Sequence, residues 1–153
     1  MFNVLVSPTS RGSIRLTSAS PLDPPLLDPA LFVNPLDEKL MYECVRMTST
    51  AIRNSSAVSE YGAVEYGIDE EIRDDFSDEA LRKRLLKTAE TVSHPSGTCA
   101  MGSFVGSECR TKGVEGLRVV DVSVFPFALG CHYQAAVYAV AELVSGFSNS
   151  FGL

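Results

Sequence analysis

The chain has 153 residues, 45% of them hydrophobic, which is enough to bury a sizeable core and too apolar for an intrinsically disordered segment. Its 13 Lys and Arg against 19 Asp and Glu give a net charge of −6, the wrong sign for a nucleic-acid binder, which needs a basic footprint. No run approaches the ~18 consecutive apolar residues of a membrane-spanning helix, so neither nucleic acid nor a membrane is an expected partner.

In chain order, the start MFNVLVSPTSRG lacks the basic and apolar regions of a secretion signal, and the compartment stays open. Val4-Leu5-Val6 and Ile14-Arg15-Leu16 read as two short strands around a Pro/Ser/Gly turn. A segment with Pro21, Pro24, Pro25, Pro29 and Pro35 follows, where neither helix nor central strand can persist. It reads as an ordered loop that buries Leu22, Leu26, Leu27, Leu31 and Phe32.

A helix is predicted over Asp37 to Arg53, with acidic residues at its positive end and one apolar stripe of Leu40, Cys44, Met47 and Ala51. Asn54-Ser55-Ser56 ends it and is also a glycosylation sequon. Residues 60–79 hold 9 of the 19 acidic side chains and read as a solvated face and loop rather than an ion site. Ser77 then caps a second helix with a Leu81, Leu85, Ala89 stripe, and Arg82, Lys83, Arg84 and Lys87 sit toward its negative end.

From Arg118 onward the only charged residues are Arg118, Asp121 and Glu142. Leu117-Arg118-Val119-Val120 reads as a buried strand ending at Asp121, and Gln134 to Phe147 as an apolar helix. A strand, a polar residue at its end, a loop and a helix form a piece of an α/β layer, where ligands sit at the carboxyl ends of strands.

Histidine is the side chain that gains and loses a proton near neutrality, and the chain has two, His94 and His132, both in uncharged surroundings. They lie in loops at the ends of predicted elements and could converge on one pocket, although spacing alone favours structural or exposed positions. His94, Cys99, Cys109 and His132 match no compact zinc signature, and no metal is expected. There is no GxSxG nucleophile elbow, and no orienting signature around Cys99 or Cys131.

Three segments carry a resemblance. His94-Pro95-Ser96-Gly97-Thr98-Cys99-Ala100-Met101-Gly102 resembles the HPxGTCxMG box of the glucose–methanol–choline (GMC) flavoprotein oxidoreductases. The run from Gly113 to Pro126 is similar to that family's GVxGLRVVDxSVxP box. The segment from Cys131 to Glu142 is similar to its closing box, where members carry His or Asn before an apolar helix. The boxes occur in the family's order, and the histidine in the last is closest to the aryl-alcohol oxidase-like, fungal-type branch.

The resemblance implies an α+β fold. Residues 1–112 would be a portion of the substrate domain, an antiparallel sheet with helices. Residues 113–153 would be a strand–loop–helix that returns to an FAD-binding domain. It implies oxidation of a small primary alcohol, with hydride passing to flavin N5. His94 aligns with the general base and His132 with the residue that orients the alcohol oxygen. Asp121, Val122 and Gln134 align with positions near FAD. None of the 11 glycines lie two apart, so no GxGxxG phosphate cradle is present. The expectation is a fragment lacking the Rossmann-like FAD-binding half, inactive alone and unable to bind FAD tightly. A subunit that complements a separate FAD-binding chain, or a non-enzymatic interaction domain, is the alternative.

Overall fold

The computed structural model describes residues 3–150 and the side chains of residues 3–146. The chain divides into two compact units: residues up to Gly12 with Pro29–Glu90, and Ser13–Asp28 with Thr91 onward. The boundary expected at residue 112 falls inside the second unit. No helix among the described residues is long and apolar enough to cross a membrane.

The first unit is built on helix α1, Pro35–Arg53. It starts two residues before the predicted point because Pro35 serves as its first residue, where the missing N–H costs nothing. The Asn34 side chain caps it by accepting from the Leu36 N–H at 2.9 Å. Helices α2 (Ser56–Glu60) and α3 (Glu70–Arg73) are single turns, and α4 spans Asp78–Thr88 with the predicted Ser77 cap accepting from the Ala80 N–H. Met41, Tyr42 and Val45 of α1 pack against Leu81 and Leu85 of α4, joined by Leu5, Phe32 and Phe76.

The apolar stripe predicted for α1 is therefore one position out: Leu40, Met47 and Ala51 are exposed and Cys44 half-buried. The buried face opens with Asp37, which is 1% exposed, and a carboxylate at the head of the stripe hides the periodicity. Asp37 anchors the N-terminal segment, accepting from the Thr9 N–H (2.8 Å), the Thr9 hydroxyl (2.8 Å) and the Ser10 N–H (2.6 Å). That segment is irregular, so the strand expected at Val4–Val6 does not form. Leu5 is the member that reaches the core.

The acidic run is not simply a solvated face. Arg84 of α4 is buried, and its guanidinium donates to both Glu65 oxygens at 2.6 Å and to the Ile72 and Arg73 carbonyls at 3.1 and 3.0 Å. Asp69 pairs with Lys87, Asp74 with Arg53 and Asp78 with Arg46. The guanidinium carbons of Arg53 and Arg84 lie 4.9 and 5.6 Å from the Phe76 ring centroid.

In the second unit, strands β1 (Ser13–Arg15) and β2 (Leu26–Asp28) form an antiparallel ribbon with Ile14 opposite Leu27. The partner of β1 thus comes from the proline-rich segment, which sequence reading treated as a loop. Pro25 and Pro29 flank β2 directly, and a strand that is all edge tolerates this because few of its donors face a neighbour. The leucines expected to be buried are open here: Leu22 is 91% exposed and Leu27 63%.

A second core gathers Val105, Cys109, Val124 and Val144, with Met101, Val119, Val120 and Val140 around it. The strand predicted at Leu117–Val120 is reduced to one bridge between Arg118 and Arg110. The Thr111 N–H donates to the Leu117 carbonyl and the Val119 N–H to the Cys109 carbonyl, each at 3.0 Å. Only this short irregular stretch pairs with it, so no ladder propagates, and Leu117 stays exposed. Helix α5, Gln134–Ser150, starts where predicted and supplies Val140 and Val144.

Candidate functional site

His94 and His132 are brought into direct contact within the second unit. His94 Nε2 lies 2.8 Å from His132 Nδ1, with ring centroids 4.9 Å apart and planes at 63°. His94 Nδ1 lies 2.5 Å from the Val92 carbonyl oxygen. His94 is half-buried and His132 exposed, so His132 is the outer member of the pair.

Two stitches hold the segments carrying them. The Cys99 and Met101 N–H groups donate to the Ser123 and Val124 carbonyls at 3.0 and 2.8 Å, which fastens the chain after His94 to the short 3₁₀ turn Val122–Val124. Gly97, at φ +84°, allows the crossing: a Cβ there would sit 3.4 Å from the Phe125 carbonyl. The second stitch is Tyr133, 9% exposed, whose ring stacks on Phe125 at 5.8 Å and lies tilted 5.3 Å from the His94 ring. Its hydroxyl and that of Ser96 are 3.0 Å apart.

The remaining predicted site residues sit differently. Asp121 is exposed and accepts from the Ser123 N–H and hydroxyl, capping the 3₁₀ turn, so its carboxylate is engaged locally rather than by an imidazole. Val122 begins that turn and is half-buried. Gln134 is the exposed first residue of α5, two positions after His132. The first amides of a helix have no intrahelical acceptor, and here they open beside exposed Gln134 and Ala135. Such a donor array with its partial positive charge suits an electron-rich group such as a flavin ring. Cys109 is walled into the apolar core, and burial pushes its thiol pKa up, with Arg118 opposing. No group of three or more metal-binding side chains occurs among the described residues.

Tyr133, Phe125, Ser96 and Val92 carry no role in the sequence reading. Tyr133 follows His132 and could have been flagged by adjacency, but nothing in the sequence signals its stacking on Phe125.

Residues 8–141 match the family profile described as GMC oxidoreductase. The chain belongs to that family. Among its relatives, it is 36% identical to the GMC oxidoreductase family protein Mala s 12 of Malassezia sympodialis over 149 residues, 92% of this chain and 23% of that protein. It is 32% identical to the patulin synthase of Aspergillus clavatus over 147 residues, with the same coverages. Its fold superimposes on a fungal aryl-alcohol oxidase with a TM-score of 0.72 at 36% identity, covering 93% of this chain and 24% of the oxidase. An FAD-dependent oxidoreductase from Chaetomium thermophilum gives a TM-score of 0.80 at 27% identity, covering 97% and 26%. The chain thus spans about a quarter of the length of the GMC proteins it matches.

Proposed function

We propose that this chain supplies the acid–base half of an FAD-linked oxidation of a CH–OH group, as a portion of a longer GMC oxidoreductase. The substrate is a small primary alcohol. The observation that carries the reading is the 2.8 Å contact between half-buried His94 and exposed His132 in the second unit. Two imidazoles in one hydrogen-bonded pair can take up a hydroxyl proton and hold the alkoxide oxygen while the carbinol hydride departs.

A bound FAD would supply the hydride acceptor, its N5, for that step. The first turn of α5 at Gln134 would face the flavin ring, and the backbone around Asp121 and Val122 the rest of the cofactor. This chain's residues bind and orient the alcohol and move its proton. Without a dinucleotide cradle in these residues, FAD is not held tightly by this chain alone. A separately made FAD-binding portion would complete the enzyme.

The test mixes the full chain with FAD and the FAD-binding portion of the related aryl-alcohol oxidase. Bound flavin that bleaches on adding a primary alcohol, and fails to bleach with His94→Ala, is the expected result. Flavin bound by the mixture that no alcohol reduces, or equal bleaching by His94→Ala, overturns the reading. Stoichiometric FAD on the isolated chain overturns the claim that it lacks its own cradle.

A further inference from the structure

The turn that joins α1 to α2 carries a motif that the oxidation reading leaves unused. Asn54-Ser55-Ser56 has the Asn-x-Ser/Thr pattern with no proline in the middle. None of the other three asparagines, Asn3, Asn34 and Asn149, opens such a triplet.

The fold leaves both ends of the triplet open. The Asn54 N–H donates to the Thr50 carbonyl at 3.0 Å and the Ser55 N–H to the Ile52 carbonyl at 3.1 Å, so the main chain there is fixed. An asparagine at a helix end commonly serves the fold in one of two ways, by adopting the left-handed conformation or by bonding its side chain back to the main chain. Asn54 does neither. Its φ is −84°, and its side-chain amide has no hydrogen-bond partner among the described residues. Ser55, not Ser56, stands at the N-cap of α2, and the Ser56 hydroxyl is equally without a partner among them. Asn54 and Ser56 are both exposed. Packing and capping thus account for neither side chain.

Bulk attached here also finds a surface to lie on. Helix α2 is a single turn, about 8 Å long at 1.5 Å per residue. Tyr61 follows it at 87% exposure and Tyr66 at 98%. Neither ring makes an aromatic or cation–π contact among the described residues. An open ring with a polar tip suits the face of a sugar, which is apolar at its C–H groups and polar at its rim.

We propose that Asn54 is an N-glycosylation site, that its sugar lies over Tyr61, and that this chain passes through the secretory route. In the transfer, Asn54 Nδ2 bonds to the anomeric carbon of a lipid-diphosphate-linked oligosaccharide. The bond from that carbon to the phosphate oxygen breaks, the lipid diphosphate leaves with the electron pair, and one Nδ2 proton passes to base. Nothing is oxidised or reduced. Transfer takes place on the nascent chain, so the part of the fold is to leave room for the product, and the exposed end of α1 does so. In a longer GMC protein this end of α1 then faces water rather than the added chain.

The test places the full chain behind a cleavable secretion leader in yeast and collects it from the medium. Peptide:N-glycosidase F in H₂¹⁸O, without denaturant, should release one glycan and leave ¹⁸O-labelled aspartate at position 54. Ser56→Ala keeps the asparagine and should abolish the glycan, while Ser56→Thr should retain it. Because transfer precedes folding, the Ser56→Ala result is equally readable on intracellular chain if that variant is not exported. Tetranitromethane should nitrate Tyr61 several-fold faster in Asn54→Gln than in the glycosylated chain, with exposed Tyr138 as the reference whose rate stays constant. The peptide carrying Asn54 from the cells that make this protein should bear the same sugar.

An unmodified Asn54 in the secreted chain, or a glycan that survives Ser56→Ala, overturns the site. A glycan released only after denaturation overturns its solvent-facing placement, and equal nitration of Tyr61 overturns the packing. An unglycosylated peptide from the native cells overturns the secretory route. The flavin reconstitution bears on none of these outcomes.

Discussion

The hydroxyls of Tyr133 and Ser96 lie 3.0 Å apart, joining the segment that carries His132 to the one that carries His94. Tyr133 is buried between Phe125 and His94, so it ties the two histidine loops by ring packing as well as by a hydrogen bond. Tyr133→Phe keeps the ring and removes one bond, and should lower unfolding free energy by about 1 kcal/mol. Tyr133→Ala leaves a cavity beside His94 and should cost about 3 kcal/mol or more. Urea unfolding of the full chain measures both. Equal losses for the two variants would show that the ring contributes nothing beyond its hydroxyl.

Acid should release the N-terminal segment. Burial works to raise the Asp37 pKa, but hydrogen bonds from Ser10 and Thr9 outweigh it and hold the carboxyl down at about 2, against an ordinary 3.8. A lowered folded-state value contributes stability that is fully present above the ordinary pKa and is lost as pH falls toward about 2. The contribution is about 2 kcal/mol. Asp37→Asn should therefore be less stable than wild type near neutrality, and the gap should narrow through that acid window. Thermal unfolding across the window checks it, and a constant gap would rule out the linkage.

Arg84 is the hub of the acidic segment. Arg84→Met fills similar space but leaves the Ile72 and Arg73 carbonyls without their donor and Glu65 without its partner. Glu65's side chain is 40% exposed and can rehydrate, so the loss should be about 2 kcal/mol, below the cost of stranding a fully buried charge. Amide exchange would locate the effect: protection should fall across residues 65–75 while Met41 and Leu81 keep theirs. A uniform fall would mean that Arg84 supports the whole unit.

Helices were the legible part of this fold, because capping chemistry is local. Ser77 announces α4 through its own side chain, and Gln134 opens α5 where the apolar run begins. Which face of α1 packs was hidden, because Asp37 occupies the buried stripe and only the distant Thr9 and Ser10 explain it. The ribbon was half-read: Ile14 signals β1, while β2 depends on a pairing that no local rule connects to a proline-rich segment. At the site, the motifs singled out both histidines. Their contact, and the strained Val92 carbonyl behind it, depend on how loops 38 residues apart fold onto each other.

The acidic run has one further consequence. Among the described residues between Ser56 and Ser77, Ile68 is the only buried apolar side chain, so this stretch has almost no oil of its own. It is laced to α1 and α4 by Arg46, Arg53, Arg84 and Lys87. Its order therefore answers to ionic strength, which screens exposed pairs, more than to the temperature dependence of apolar burial. The paired part of this acidic run is a fastening, and concentrated salt is the reagent that loosens it.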